Sequence, residues 1–201
     1  MFIQVIQGQV RHAEPVYVEL DQWIKELSRS ADGWLGSTAG VTDDKRFITL
    51  SRWESEEVAR RNSVRPEQDR WWRSFSELFT QAPTFHESSD VFVDIHGEPD
   101  QARFVQVMQG RGTNPIRAGE LMGSHTEEWA AFRPEILGSV GCTYDDGAYT
   151  MAIYFTDEES AREGERKQPP PELQAEMDEM MALSVGEPEF FDLRAPWLHS
   201  R

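Results

Sequence analysis

Two polar side chains stand at positions that the surrounding sequence marks as inward-facing, and any chemistry would begin there. Asn62 follows Val58 by four residues, about one helical turn, so its amide faces the apolar side and requires a polar partner. It either offers that amide to a bound molecule or ends the helical segment ahead of Pro66. His125 occupies an apolar stripe with Met122, Thr126 and Trp129. An imidazole there serves as a general base or ligand contact, or is a core histidine with one satisfied nitrogen. Trp71 and Trp72, spaced with Phe75, Leu78 and Phe79, make an aromatic helix face that reads as core or as a pocket wall.

Other chemistries have little to stand on. His12, His86, His96 and His199 are scattered, with no carboxylate at metal-ligand spacing, so no metal site is expected. There is no glycine-rich phosphate loop, no Gly-x-Ser-x-Gly elbow and no Cys-x-x-Cys. The single cysteine, Cys142, lies in an apolar strand without a cationic neighbour and reads as a small buried hydrophobe. A formal charge of −16 over 201 residues opposes nucleic acid and anionic membrane as partners. No apolar run approaches a membrane span, and the N-terminus lacks a signal-peptide pattern, so a soluble, cytoplasmic protein is expected.

The elements that must position these residues occur twice. Phe2-Ile3-Gln4-Val5-Ile6-Gln7-Gly8 returns as Phe104-Val105-Gln106-Val107-Met108-Gln109-Gly110, and Leu35-Gly36-Ser37 returns as Leu137-Gly138-Ser139, each at an offset of 102 residues. Fifteen of the 59 pairs between residues 2–60 and 104–162 are identical, against roughly four by chance at ordinary residue usage. The first copy reads as a strand (2–7), a helix from Pro15 whose stripe is Val16, Leu20, Trp23, Ile24 and Leu27, and a hairpin of strands 34–41 and 46–53. Ser55 caps a second helix that breaks near Ser63 and restarts at Pro66, and residues 84–95 form one closing strand.

This order is the βαββαβ arrangement of ferredoxin-like domains. The expected fold class is α+β, with domains at 1–97 and 104–201 and a linker at 98–103. Both faces of the first strand are largely apolar, so the two domains are expected to pack sheet to sheet as an intramolecular pseudo-dimer. Phe190-Phe191-Asp192-Leu193 sits 98 residues after Phe92-Val93-Asp94-Ile95, which implies that the second copy has lost four residues. Its second helix would then be shortened and interrupted by Pro169-Pro170-Pro171, with Met177, Met180 and Met181 as core packing. Any ligand pocket is accordingly expected to be better formed in the first copy.

The chain resembles the dimeric α+β barrel superfamily, in particular antibiotic-biosynthesis-monooxygenase-like domains. The likeness rests on Phe2-Ile3-Gln4-Val5, on Gly33-Trp34-Leu35-Gly36-Ser37 and on the stretch from Phe47 through Trp53-Glu54 to Glu57, and it spans both copies. It implies a fused dimeric barrel with a small-molecule pocket. It also implies a cofactor-independent monooxygenase acting on an aromatic or polyketide-like metabolite, or a non-catalytic binding or scaffold protein with degenerate pockets. The oxygenases of the family carry an asparagine and a tryptophan around the second helix, which makes Asn62 and Trp72 the implied catalytic residues, with Trp71, Trp23 and His125 as ligand contacts. Haem-degrading relatives hold iron through a histidine on the second helix; residues 55–80 and 157–183 contain none, so haem binding is not expected.

Overall fold

A computed structural model describes residues 1–201. The first copy runs β1 (Phe2–Gln9), α1 (Ala13–Glu26), β2 (Trp34–Val41), β3 (Arg46–Trp53), α2 (Glu56–Ser63), α3 (Pro66–Ser76), β4 (Thr84–Ser88) and β5 (Val91–Ile95). The second runs β6 (Phe104–Arg111), α4 (Pro115–Met122), α5 (Thr126–Phe132), β7 (Ile136–Thr143), β8 (Ala148–Phe155), α6 (Glu158–Glu165), α7 (Pro171–Leu183), β9 (Glu189–Leu193) and β10 (Trp197–Ser200). No helix is long and apolar enough to cross a membrane.

Local chemistry sets the element ends. The β2–β3 hairpin turns at Thr42-Asp43-Asp44-Lys45, where Lys45 takes a positive φ of 68° and its N–H bonds the Thr42 carbonyl at 2.9 Å. The Ser55 hydroxyl caps α2 by accepting the Val58 N–H, with Glu56 and Glu57 in the first turn. Pro66 opens α3, where a missing N–H costs no helical hydrogen bond.

Each copy pairs its strands in the ferredoxin-like order, β4-β1-β3-β2 in the first and β9-β6-β8-β7 in the second, all antiparallel. On the helix face of the first sheet, Phe2 packs with Trp23, Trp34 and Trp53, and Phe47 with Phe75 and Phe79. Ile3, Val5, Ile48 and Leu50 alternate with these onto the opposite face and are also buried, so both faces are covered as the apolar strand required.

The closing strand differs from the expectation. Residues 84–95 form two strands, broken at Ser89-Asp90, where the Asp90 N–H turns back to the Ser88 hydroxyl. β4 completes its own copy's sheet, whereas β5 joins the edge of β7; reciprocally, β10 joins the edge of β2. The packed units are therefore Met1–Val91 with Ala195–Arg201, and Phe92–Arg194, which differs from a simple division at 98–103.

This exchange accounts for the repeated Leu-Gly-Ser. Gly36 and Gly138 lie at register shifts in β2 and β7 with φ of 140° and 151°. A Cβ on Gly138 would stand 2.6 Å from the Asp94 carbonyl, and one on Gly36 would collide with the His199 carbonyl. Only glycine admits the incoming strand so closely.

The ladders also correct the length of the second copy. Ile6 pairs with Phe85 and Met108 with Phe190, so β9 follows β4 by 105 residues. α6 keeps the offset of 102 from α2, whereas α7 starts 105 residues after α3. The second copy has thus gained three residues, not lost four, and the gain lies between its helices, ahead of Pro171, the counterpart of Pro66. α7 has 13 residues against 11 in α3, so the helix is neither shortened nor interrupted.

Candidate functional site

The offset of 105 shows why the two units differ inside. In the first unit the space between α3 and the sheet is filled by aromatic rings. Trp71 stacks on Phe75 at 4.7 Å, and Phe75 meets Phe47 and Phe79, each at 5.5 Å. The residues 105 further on from Trp71, Trp72 and Phe75 are Glu176, Met177 and Met180, which are narrower and more pliant. In the 92–194 unit a cleft of about 260 Å³ opens beside them. The space beside Trp71 and Trp72, where the better-formed pocket was expected, is thus filled, and Met177 and Met180 line the cleft of the other unit rather than a closed core.

Several elements shape the cleft. β8 contributes Met151 and Ile153, which alternate with the buried Ala152 and Tyr154 of the other face. β7 contributes Ile136 and Ser139, the latter paired in register with Ile153. Across from these, Trp129 on α5 and Met122 on α4 complete an apolar wall. The exchanged segment supplies Asp94 and His96, whose side chains bond to each other at 2.9 Å, while the His96 and Gly97 N–H groups anchor to the Leu137 carbonyl. A carboxylate only accepts, so His96 Nε2 carries the shared proton, and in the neutral ring Nδ1 is the basic nitrogen.

Glu176 is the polar anchor of the helical wall. It accepts the Trp129 indole N–H at 2.8 Å, the Ser124 hydroxyl at 2.7 Å and His125 Nδ1 at 2.9 Å. Partial burial pushes its carboxyl up, but these three hydrogen bonds outweigh burial and hold it below the usual carboxylate range. Arg133, which borders the cleft, pairs with the buried Glu135, with Lys167 at 3.7 Å from the same carboxylate. Gly164 makes room for this pair, since a Cβ there would collide with the Glu135 carboxylate.

The residues singled out from sequence fall in different places. Asn62 is buried and its amide oxygen accepts from Arg65 at 2.8 Å; Arg65 also holds the Ser30 carbonyl and Glu67. Trp72 packs against Phe75 and Phe85, and the Trp71 indole donates to the Glu19 carbonyl. Trp23 donates to Gln68 at 2.7 Å and meets Trp34 edge-on. Asn62 and Trp72 thus engage separate partners.

His125 does not sit on a buried stripe. The helix that is continuous in α1 breaks at Gly123-Ser124 into α4 and α5, and His125 caps α5 in the left-handed region at φ 50°, largely exposed. Glu176 raises its pKa, chiefly through their hydrogen bond. Reasoning from sequence missed Asp94, His96 and Glu176. The available signal was the alternation Phe92, Asp94, His96 on one strand face, obscured by placing His96 beside a linker.

No family model matches the sequence, and no curated protein matches it. Solved structures do share its fold. A candidate monooxygenase from Lactobacillus acidophilus superposes with a TM-score of 0.69 at 9% identity, covering 99% of each chain. One from Fusobacterium nucleatum gives 0.73 at 10% identity over 100% of this chain and 94% of its own. An anthrone oxidase-like protein gives 0.64 at 14% identity over 99% and 92%. The chain shares its fold with these structures over nearly its whole length, and it is built from two units of ferredoxin-like strand order.

Proposed function

We propose that the protein binds a small, largely apolar metabolite in the cleft of the 92–194 unit and acts there as a cofactor-independent monooxygenase on an aromatic or polyketide-like substrate. The supporting observation is one His–Asp pair set into a wall of Met, Ile and Trp side chains. An acidic methylene of a phenolic ring system gives up a proton to His96, and Asp94 steadies the imidazolium that forms. The electron-rich carbanion then reduces dioxygen directly: the methylene becomes a carbonyl, one oxygen atom of the dioxygen enters the product and the other leaves as water. The apolar wall keeps bulk water from the carbanion.

The test is to supply an anthrone to the full chain and follow oxygen uptake together with quinone absorbance. His96→Asn should abolish turnover while calorimetric binding of the anthrone persists. If binding instead falls in Asn62→Leu or Trp72→Ala and is untouched in Trp129→Ala, the site lies in the first unit, where the family resemblance puts it. A second reading, a binding protein without turnover, is favoured by the filled aromatic interior of the first unit. Saturable binding without oxygen uptake would select it.

A further inference from the structure

Five of the positions that line the cleft of the 92–194 unit have counterparts that line a second cleft in the other unit, where arginine side chains stand in place of carboxylate side chains. Thr126, Ala130 and Ile136 correspond at 102 residues to Ile24, Ser28 and Trp34, and Asp94 and His96 correspond at 105 to His199 and Arg201. Ile24, Ser28, Trp34, His199 and Arg201, together with Arg29, border a cleft of about 250 Å³. Two copies that have diverged over most positions have kept an opening at the same point, where the exchanged strand meets the end of the first helix.

We propose that this first-unit cleft is a separate binding site for a small organic carboxylate with an apolar or aromatic body. Its lining includes no Asp or Glu side chain, although acids outnumber bases 36 to 20 in the chain. Arg29 is carried by the turn Ser28–Ser30 and has no carboxylate partner. Arg201 continues the backbone ladder to the Leu35 carbonyl and turns its guanidinium back to the Ala31 carbonyl at 3.1 Å, a neutral acceptor. Arg52 fixes the strand from behind by donating to the His199 carbonyl at 3.0 Å.

Guanidinium groups with N–H donors to spare match a carboxylate, which accepts two parallel bonds. Trp34 and Ile24 supply the surface for the body of the acid. Benzoate, a single ring bearing one carboxylate, is the simplest acid of this kind and serves as the probe of the roughly 250 Å³ cleft.

Benzoate, benzamide, benzylamine and inorganic phosphate titrated into the full chain at constant ionic strength provide the test. Calorimetry should show one saturable benzoate site, with NMR shifts at the Trp34 indole and the Leu35 and Ser200 amides, and at least tenfold weaker binding of benzamide and benzylamine. Arg29→Gln and Arg29→Glu should weaken benzoate tenfold or more, with Arg201→Gln similar, while His96→Asn leaves it unchanged. Equal binding of benzoate and benzamide would overturn the proposal. So would tighter binding of phosphate, shifts confined to Thr126 and Ile136, or unaltered affinity in Arg29→Glu with an unchanged circular dichroism spectrum.

Discussion

The Trp129 indole donates to one oxygen of Glu176 at 2.8 Å, so the main aromatic wall of the 92–194 cleft is held in orientation by a carboxylate on the facing helix. Trp129→Phe keeps the ring and removes the donor. It should destabilise the protein by about 1.5 kcal/mol, the low end for a hydrogen bond to a charged group, because Ser124 and His125 still serve Glu176. Urea denaturation followed by circular dichroism measures this; no change would mean that the bond contributes nothing net.

The His125–Glu176 pair should make stability depend on pH from both sides. His125 is raised in the folded state, so its contribution is complete below the unfolded value of about 6.5 and is lost as pH rises through the higher folded value. Glu176 is depressed, so its contribution is complete above about 4.3 and is lost as pH falls through the lower folded value. Glu128 and Glu172 also face His125 and add to its rise. The melting-temperature difference between wild type and His125→Ala should be largest between these limits and shrink in alkali. NMR titration of His125 should return a value above that of a histidine peptide.

Gly138→Ala should detach the exchanged strand. Its φ of 151° and the 2.6 Å approach to the Asp94 carbonyl leave no room for a methyl group. The expected cost is at least about 2 kcal/mol, from backbone strain together with a displaced ladder. Hydrogen exchange at the His96 and Gly97 amides, both bonded to Leu137, should accelerate well beyond exchange in β8.

Phe75 and Met180 occupy equivalent positions with unequal duties. Phe75 is buried among Trp71, Trp72, Phe47 and Phe79, so Phe75→Ala should cost about 3–5 kcal/mol. Met180 borders an open cleft, and Met180→Ala should cost less than about 2 kcal/mol while enlarging the cleft. Equal losses would mean that the cleft closes in solution.

Features decided within a few residues were legible in the sequence. The hairpin strands at 34–41 and 46–53, the Ser55 cap and the restart at Pro66 stand where hydrophobic alternation, a hydroxyl acceptor and a missing N–H put them. Strand exchange was not legible, because Ser88-Ser89-Asp90 reads equally as a bend within one strand or a break between two. The choice of partner for β5 depends on Gly138, more than 40 residues away along the chain. The cleft was hidden for a related reason. It arises where Trp71, Trp72 and Phe75 give way to Glu176, Met177 and Met180, a correspondence visible at an offset of 105 and lost at 98. His125 misled because helix periodicity was carried across Gly123-Ser124, where the chain stops being helical.

The exchanged strands bind the histories of the two repeats together. Asp94 and His96 are encoded in or directly after the first repeat yet furnish the cleft of the unit built from the second, and His199 and Arg201 do the reverse. A mutation in either half of the gene therefore acts on the cleft of the unit built mainly from the other half. Each half carries residues on which the other half's cleft depends, so the two halves are constrained to vary jointly.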